Sequence, residues 1–304
     1  MLAENRAQQR EFGDFRDIGF RKGPWEGQED DVKDGREAIE ELKRQNLLPP
    51  EVEDKEVTQY VRNLAGKIAR HSDLRVPVNV TVLKSKEINA FALPGGFLFI
   101  NSGLILKAEK ESELAGVIAH EISHVTARHA DRLMTKATIA GIIFQAAQVA
   151  ALIFTGGIAG IGTYYALQYG FYGLGLALSL SLLGVSRDYE MEADILGTQY
   201  LWHAGYDTKG FISFFGRMAA EEGYVTGLSW FRTHPPFYER MEKTYREIVL
   251  LPKQAEAIDD TSQFQQMKLR LKQSESEMEE RDRKAPTLRR VYDCDDIPFE
   301  RGPE

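Results

Sequence analysis

Two histidines four residues apart, His120 and His124, with Glu121 between them, constrain this chain more than any other feature. In a helix, residues at that spacing stand on one face, one turn above each other, so the two imidazoles converge. Both rings can then hold one ion at about 2.0 to 2.1 Å, while Glu121, one position round, reaches the water on the ion's open side. Apolar Val117, Ile118 and Ile122 bury the rest of this helix. The fold must also bring in a third donor, because a catalytic zinc takes three protein ligands and keeps one position for water.

The candidate third ligand is Glu190. In the run Glu190-Met191-Glu192-Ala193-Asp194, Glu190 and Asp194 share one helix face. Glu190 can therefore ligate while Asp194 accepts the outward N–H of a ligand histidine. Glu192, two residues along, points away from that face and is expected to meet solvent or a cation such as Arg187.

At 304 residues, 43% hydrophobic and 10% aromatic, the chain can bury a full core. Its net charge of -8 offers no general attraction to phosphate backbones, so nucleic acid is set aside as a partner. The one cysteine, Cys294, excludes an internal disulfide and leaves the compartment open. Met1 to Arg21 lack the apolar core of a secretory signal, which was either removed or never present.

Three regions follow. Residues 1–28 read as an irregular arm, 29–252 as the main domain, and 253–304 as a charged C-terminal helix and tail. Helices are expected over 29–45, 52–71, 111–132, 188–204, 207–221, 236–249 and 263–272, with 274–290 loosely docked. The acidic first turn starts the 111–132 helix, with Ser112 as an alternative cap. Alternating Val78, Val80 and Val82, and the aromatics around Pro94-Gly95-Gly96, predict a small sheet between 76 and 105. The two glycines serve either a hairpin turn or a close backbone approach.

From Ala137 to Ser186 there is no charged residue. The halves 138–161 and 163–184 are each long enough to span a bilayer, and both flanking motifs must face one aqueous site, so the stretch reads as a hairpin insertion. Its Gly, Ser and Tyr residues, with Gln145, Gln148 and Gln168, favour a buried hairpin or peripheral membrane association over a crossing one. The series Tyr164, Tyr165, Tyr169, Tyr172 reads as a packing or interface stripe. His71 and His129 are expected to cap, stack or meet solvent rather than bind metal.

The run from Gly116 to His129, followed by Ser186 to Asp194, resembles the gluzincin family that contains HtpX and the CAAX prenyl proteases, and is most similar to its periplasmic quality-control branch. Further family marks are Asn89 to Phe97, His203 to Asp207, and Thr233-His234-Pro235-Pro236 with Arg240; the likeness covers roughly 50–250. It implies an α+β, mainly helical zincin-type metallopeptidase with a small mixed sheet and the His-Glu-x-x-His motif on its active-site helix. It implies one Zn2+ per chain on His120, His124 and Glu190, Glu121 as general base and Asp194 as supporting acid. It also implies His234 near the developing oxyanion, against the plainer reading of a packed histidine before Pro235, and Asn89 and Ala90 on an edge strand that holds substrate.

The function implied is a zinc metalloendopeptidase acting on unfolded or misfolded protein in the bacterial cell envelope, periplasmic or membrane-associated. The tail shows no period of about 34 residues, so the tetratricopeptide repeats of chaperone-like relatives are not expected. No apolar segment precedes the sheet, unlike HtpX itself. Two histidines and a carboxylate also serve non-haem iron oxygenases, and a binding protein with little turnover is the non-enzymatic alternative.

Overall fold

The computed structural model describes Gln28, residues 31–130, 187–222, His234 and 238–284. Among these residues the elements run α1 (Asp31–Arg44), α2 (Lys55–Arg70), β1 (Asn79–Leu83), β2 (Ala90–Leu93), β3 (Phe97–Asn101), α3 (Ser102–Lys107), α4 (Glu111–Thr126), α5 (Arg187–His203), α6 (Lys209–Glu222), α7 (Tyr238–Leu250) and α8 (Ser262–Lys284). The fold is mainly helical with one small mixed sheet.

The sheet has the order β1-β3-β2, with β1 parallel and β2 antiparallel to β3. Alternation along the strands divides its two faces. Val80, Val82, Ala90, Leu98 and Ile100 point into the main core, with α2, α3, α4, α5, α6 and α8 supplying the rest. Leu83, Leu93, Phe97 and Phe99 point the other way, under Leu42 of α1. Gly95 and Gly96 make the β2–β3 hairpin at φ +80 and +85, where residues with a side chain are strained. A close approach is present as well, since a Cβ at Gly95 would meet the Val32 backbone at 2.4 Å.

The helix carrying the histidine pair is buried along its whole length. It packs against α5 on one side and α6 on another, and also meets α2 and β2. Close approach at small residues allows this: a Cβ on Gly197 of α5 would lie 3.1 Å from the His120 backbone nitrogen, and one on Gly116 would lie 2.8 Å from Phe211 of α6.

Three expectations are corrected. The first-motif helix does not run unbroken to 132. It ends at Thr126, and Arg128 takes a left-handed conformation at φ 51 before helix resumes at His129. The Arg128 guanidinium donates to Asp31 of α1 at 2.8 and 2.6 Å, both groups buried, which holds the turn in place. Ser112 does not cap α4, because its hydroxyl donates to Asp259 at 2.9 Å; Asp260 accepts instead from the first-turn Glu111 N–H at 3.1 Å. The last helix does not stop near 272 but continues to Lys284.

Among the described residues no helix is long and apolar enough to cross a membrane. The uncharged stretch 137–186, with its hairpin, tyrosine stripe and membrane alternatives, lies outside the described residues, as do the arm before Gln28 and the tail after Lys284.

Candidate active site

His120 and His124 project from α4, Glu190 from the first turn of α5, and His234 comes in from the segment before α7. One potential ligand atom from each of the four lies within 4.8 Å of all the others. The two Nε2 atoms of His120 and His124 are 3.0 Å apart. The Glu190 carboxylate stands 3.5 Å from each of them, one oxygen facing each ring. His234 places Nδ1 3.2 Å from His120 Nε2 and 3.0 Å from Glu190 Oε2, and its other nitrogen lies 3.2 Å from the Glu121 carboxylate.

Behind the donors lies a shell of acids and one arginine. Asp194 Oδ1 sits 2.9 Å from His120 Nδ1, the nitrogen facing away from the cluster. Arg240 of α7 donates Nε and Nη2 to the two Asp194 oxygens at 2.7 and 2.8 Å, and its Nη1 reaches Glu190 at 3.0 Å. His124 Nδ1 faces His129 Nδ1 at 2.8 Å. The His129 ring stacks on Tyr189 at 4.7 Å between centroids.

Burial by itself would drive every one of these groups to its neutral form, so their directions show which neighbours win. For Glu190, the burial penalty is overcome by His234, Arg240 and His124, leaving its carboxyl well below the usual range. Asp194 is likewise lowered, with Arg240 outweighing desolvation. His124 is pushed well below the ordinary imidazole value by burial, which keeps it neutral, the state a ligand needs. Burial is outweighed at His120 by Asp194 and Glu190, which raise it, and at His234 by Glu190 and Glu121, which push it up to about 10.

The donor set fits a divalent transition-metal ion. Imidazole and carboxylate ligands are the zinc and iron combination, and the 3.0 Å separation of the two Nε2 atoms is close to that of neighbouring ligands around one small ion. Both α4 histidines also have their outward nitrogen engaged, which is what fixes the ligating tautomer.

Of the residues singled out from the sequence, His120, His124, Glu190 and His234 meet in this cluster, Asp194 stands behind His120, and Glu121 stands beside His234. Asn89 and Ala90 are elsewhere, at the start of the outer strand β2, where the Asn89 carbonyl accepts from Asn101 N–H at 3.0 Å. Glu192 does not turn to solvent: it is buried, with Oε2 3.5 Å from His129 Nε2. His129 stacks, as the sequence reading allows, but it is buried and its Nδ1 also meets His124, a contact the sequence reading does not contain. Its position five residues past His124 carries no signal for that contact, because the left-handed Arg128 supplies it.

Helix, acid and histidine geometry of this kind define a His-Glu-x-x-His metallopeptidase centre. The chain belongs to peptidase family M48, whose model matches residues 51–248, and membership implies a metal cofactor. It is 34% identical over 181 residues to a putative beta-barrel assembly-enhancing protease of Vibrio cholerae, covering 58% of this chain and 36% of that protein. It is 32% identical to the mitochondrial metalloendopeptidase OMA1 of Schizosaccharomyces pombe, covering 61% of this chain and 51% of that one. With the metalloprotease YcaL of Escherichia coli it shares 32% identity, over 61% of this chain and 68% of that one. The beta-barrel assembly-enhancing proteases are matched over only about a third of their length.

Proposed function

We propose that this chain is a zinc-dependent endopeptidase that cleaves unfolded or misfolded polypeptides in the bacterial cell envelope, with His120, His124 and Glu190 holding one zinc ion. The observation that carries this reading is the meeting of Glu190 with both imidazoles of the α4 pair, each at 3.5 Å, across two helices far apart in sequence. A zinc ion held there would act as a Lewis acid on the scissile carbonyl and would lower the pKa of a water towards 7. Glu121 would serve as the base that takes a proton from the attacking water and then as the acid that returns it to the leaving amine. Asp194, gripped by Arg240, keeps the proton on His120 Nδ1, so that Nε2 presents its lone pair to the ion.

His234 is the fourth member of the cluster. A catalytic site needs one position not taken by protein, so a peptide carbonyl would enter only if His234 Nδ1, now 3.2 Å from His120 Nε2, did not fill that position. Its other nitrogen lies 3.2 Å from the Glu121 carboxylate, so His234 can donate to the developing oxyanion, the kind of contact whose removal costs about 3 kcal/mol elsewhere.

For substrate, β2 is an outer strand packed against the motif helix. An extended peptide can pair alongside this strand near Asn89 and Ala90 through main-chain hydrogen bonds, which demand extension rather than sequence. The name of the bacterial relatives, beta-barrel assembly-enhancing protease, supports an envelope role.

The test is digestion of a denatured, casein-like protein by the purified chain and its Glu121→Gln variant, with metal content measured on both. The expected result is one zinc per chain in each and a loss of cleavage of about 10²-fold or more in the variant. Unchanged proteolysis by Glu121→Gln, or cleavage indifferent to a chelator, would remove the mechanism. Iron in place of zinc, with no cleavage, would favour an oxygenase.

A further inference from the structure

We infer that His129 is a positioning residue for the metal site, the middle of a chain Glu192–His129–His124 that fixes the tautomer and aim of the second histidine ligand. The inference rests on the reading of His124 as a ligand.

His124 turns Nε2 towards the donor cluster, 3.0 Å from His120 Nε2. A nitrogen that ligates must be without its proton, so the proton of neutral His124 resides on Nδ1. That N–H points at His129 Nδ1, 2.8 Å away, which therefore accepts. An imidazole accepting at Nδ1 carries its own proton on Nε2, and His129 Nε2 faces the Glu192 carboxylate at 3.5 Å, a distance for charge attraction rather than a formed hydrogen bond. The three groups admit one consistent assignment, ending on an anion, as ligand histidines backed by a carboxylate do.

Each link is held from a different direction. Tyr189 stacks on the His129 ring with planes 15° apart, one residue before Glu190. Glu192 lies on α5 two residues after Glu190 and two before Asp194, so that one helix supplies the third ligand and the supporting acids of both histidines. The left-handed turn at Arg128, clamped by Asp31, returns the chain after α4 so that His129 faces His124. A continuous helix would have carried position 129 about 140° round from His124, since each residue turns about 100°.

The test measures zinc affinity by chelator competition and the visible spectrum of the cobalt-loaded chain, for wild type and for His129→Asn, His129→Leu and His124→Ala. Asn keeps an acceptor near the Nδ1 position, whereas Leu keeps bulk and loses the acceptor. The expected result is that His129→Leu weakens zinc binding by about 10- to 100-fold and alters the cobalt bands, and that His129→Asn recovers most of the affinity. Leu and Asn variants that bind equally would overturn the inference, whether both were strong or both weak. Zinc binding unimpaired in His124→Ala would instead sink the ligand reading beneath it, and so separates the two failures. Metal-free unfolding of each variant keeps a folding defect from passing as a metal effect.

Discussion

Arg240 is a buried guanidinium whose three nitrogens are spent on two acids of α5, Asp194 and Glu190. Replacing it by Met would leave two buried carboxylates with one cation fewer. Breaking a buried ion pair from one side costs about 3 to 5 kcal/mol, so Arg240→Met is expected to lose that much in urea unfolding of the metal-free chain. Bound zinc should restore part of the loss, because it supplies the missing positive charge, and an equal loss with and without zinc would refute this account. At this scale the pair His120 and His124 and the acid Glu190 were legible from spacing, because helix geometry alone converts four residues into one face. Glu192 and His129 were not: their roles depend on a single residue leaving helical geometry, and periodicity carries no record of a left-handed residue.

Between elements, the decisive contact is the crossing of α4 and α5 at Gly197. A Cβ there would lie 3.1 to 3.2 Å from the main chain of Ala119 and His120, so the helices would have to part by a few tenths of an ångström. Alanine is the better helix former by about 1 kcal/mol, which offsets that strain, and Gly197→Ala should leave overall stability nearly unchanged. Glu190 and Asp194 ride on the displaced helix, however. Catalytic groups misplaced by about 1 Å lose about 10²-fold, so a fall in kcat of about tenfold is expected, read as initial rates at saturating peptide. A variant as active as wild type would show that the crossing distance does not set the site. The strands, the hairpin at Gly95-Gly96 and most helices were legible because periods of two and of three to four were clean there. The N-terminal cap of α4 was not, since Asp260 lies 149 residues away and only the folded chain brings it close.

Across the whole molecule, α8 ties the end of the described chain to the helix that carries His120 and His124. Phe264, Met267 and Leu271 recur at three and four and enter the main core. The segment just before α8 closes the start of α4, with Ser112 N–H donating to the Asp259 carbonyl at 2.9 Å and Glu111 N–H to the Asp260 carboxylate at 3.1 Å. Arg270 adds contacts to Asp54 at 2.6 Å and Glu56 at 2.8 Å at the start of α2, but it is half exposed, so solvent screening leaves these pairs little weight. Burial of Phe264 therefore dominates the docking. Phe264→Ala is expected to cost about 3 to 5 kcal/mol in urea unfolding, whereas Leu269→Ala on the exposed face should stay within about 0.5 kcal/mol. Because α8 and α4 share one core, the Phe264 loss should appear in a single transition that also releases bound zinc. Zinc retained after α8 has come free would mean that the C-terminal helix is an appendage, and that α4 is held by its other neighbours, α5, α6, α2 and β2.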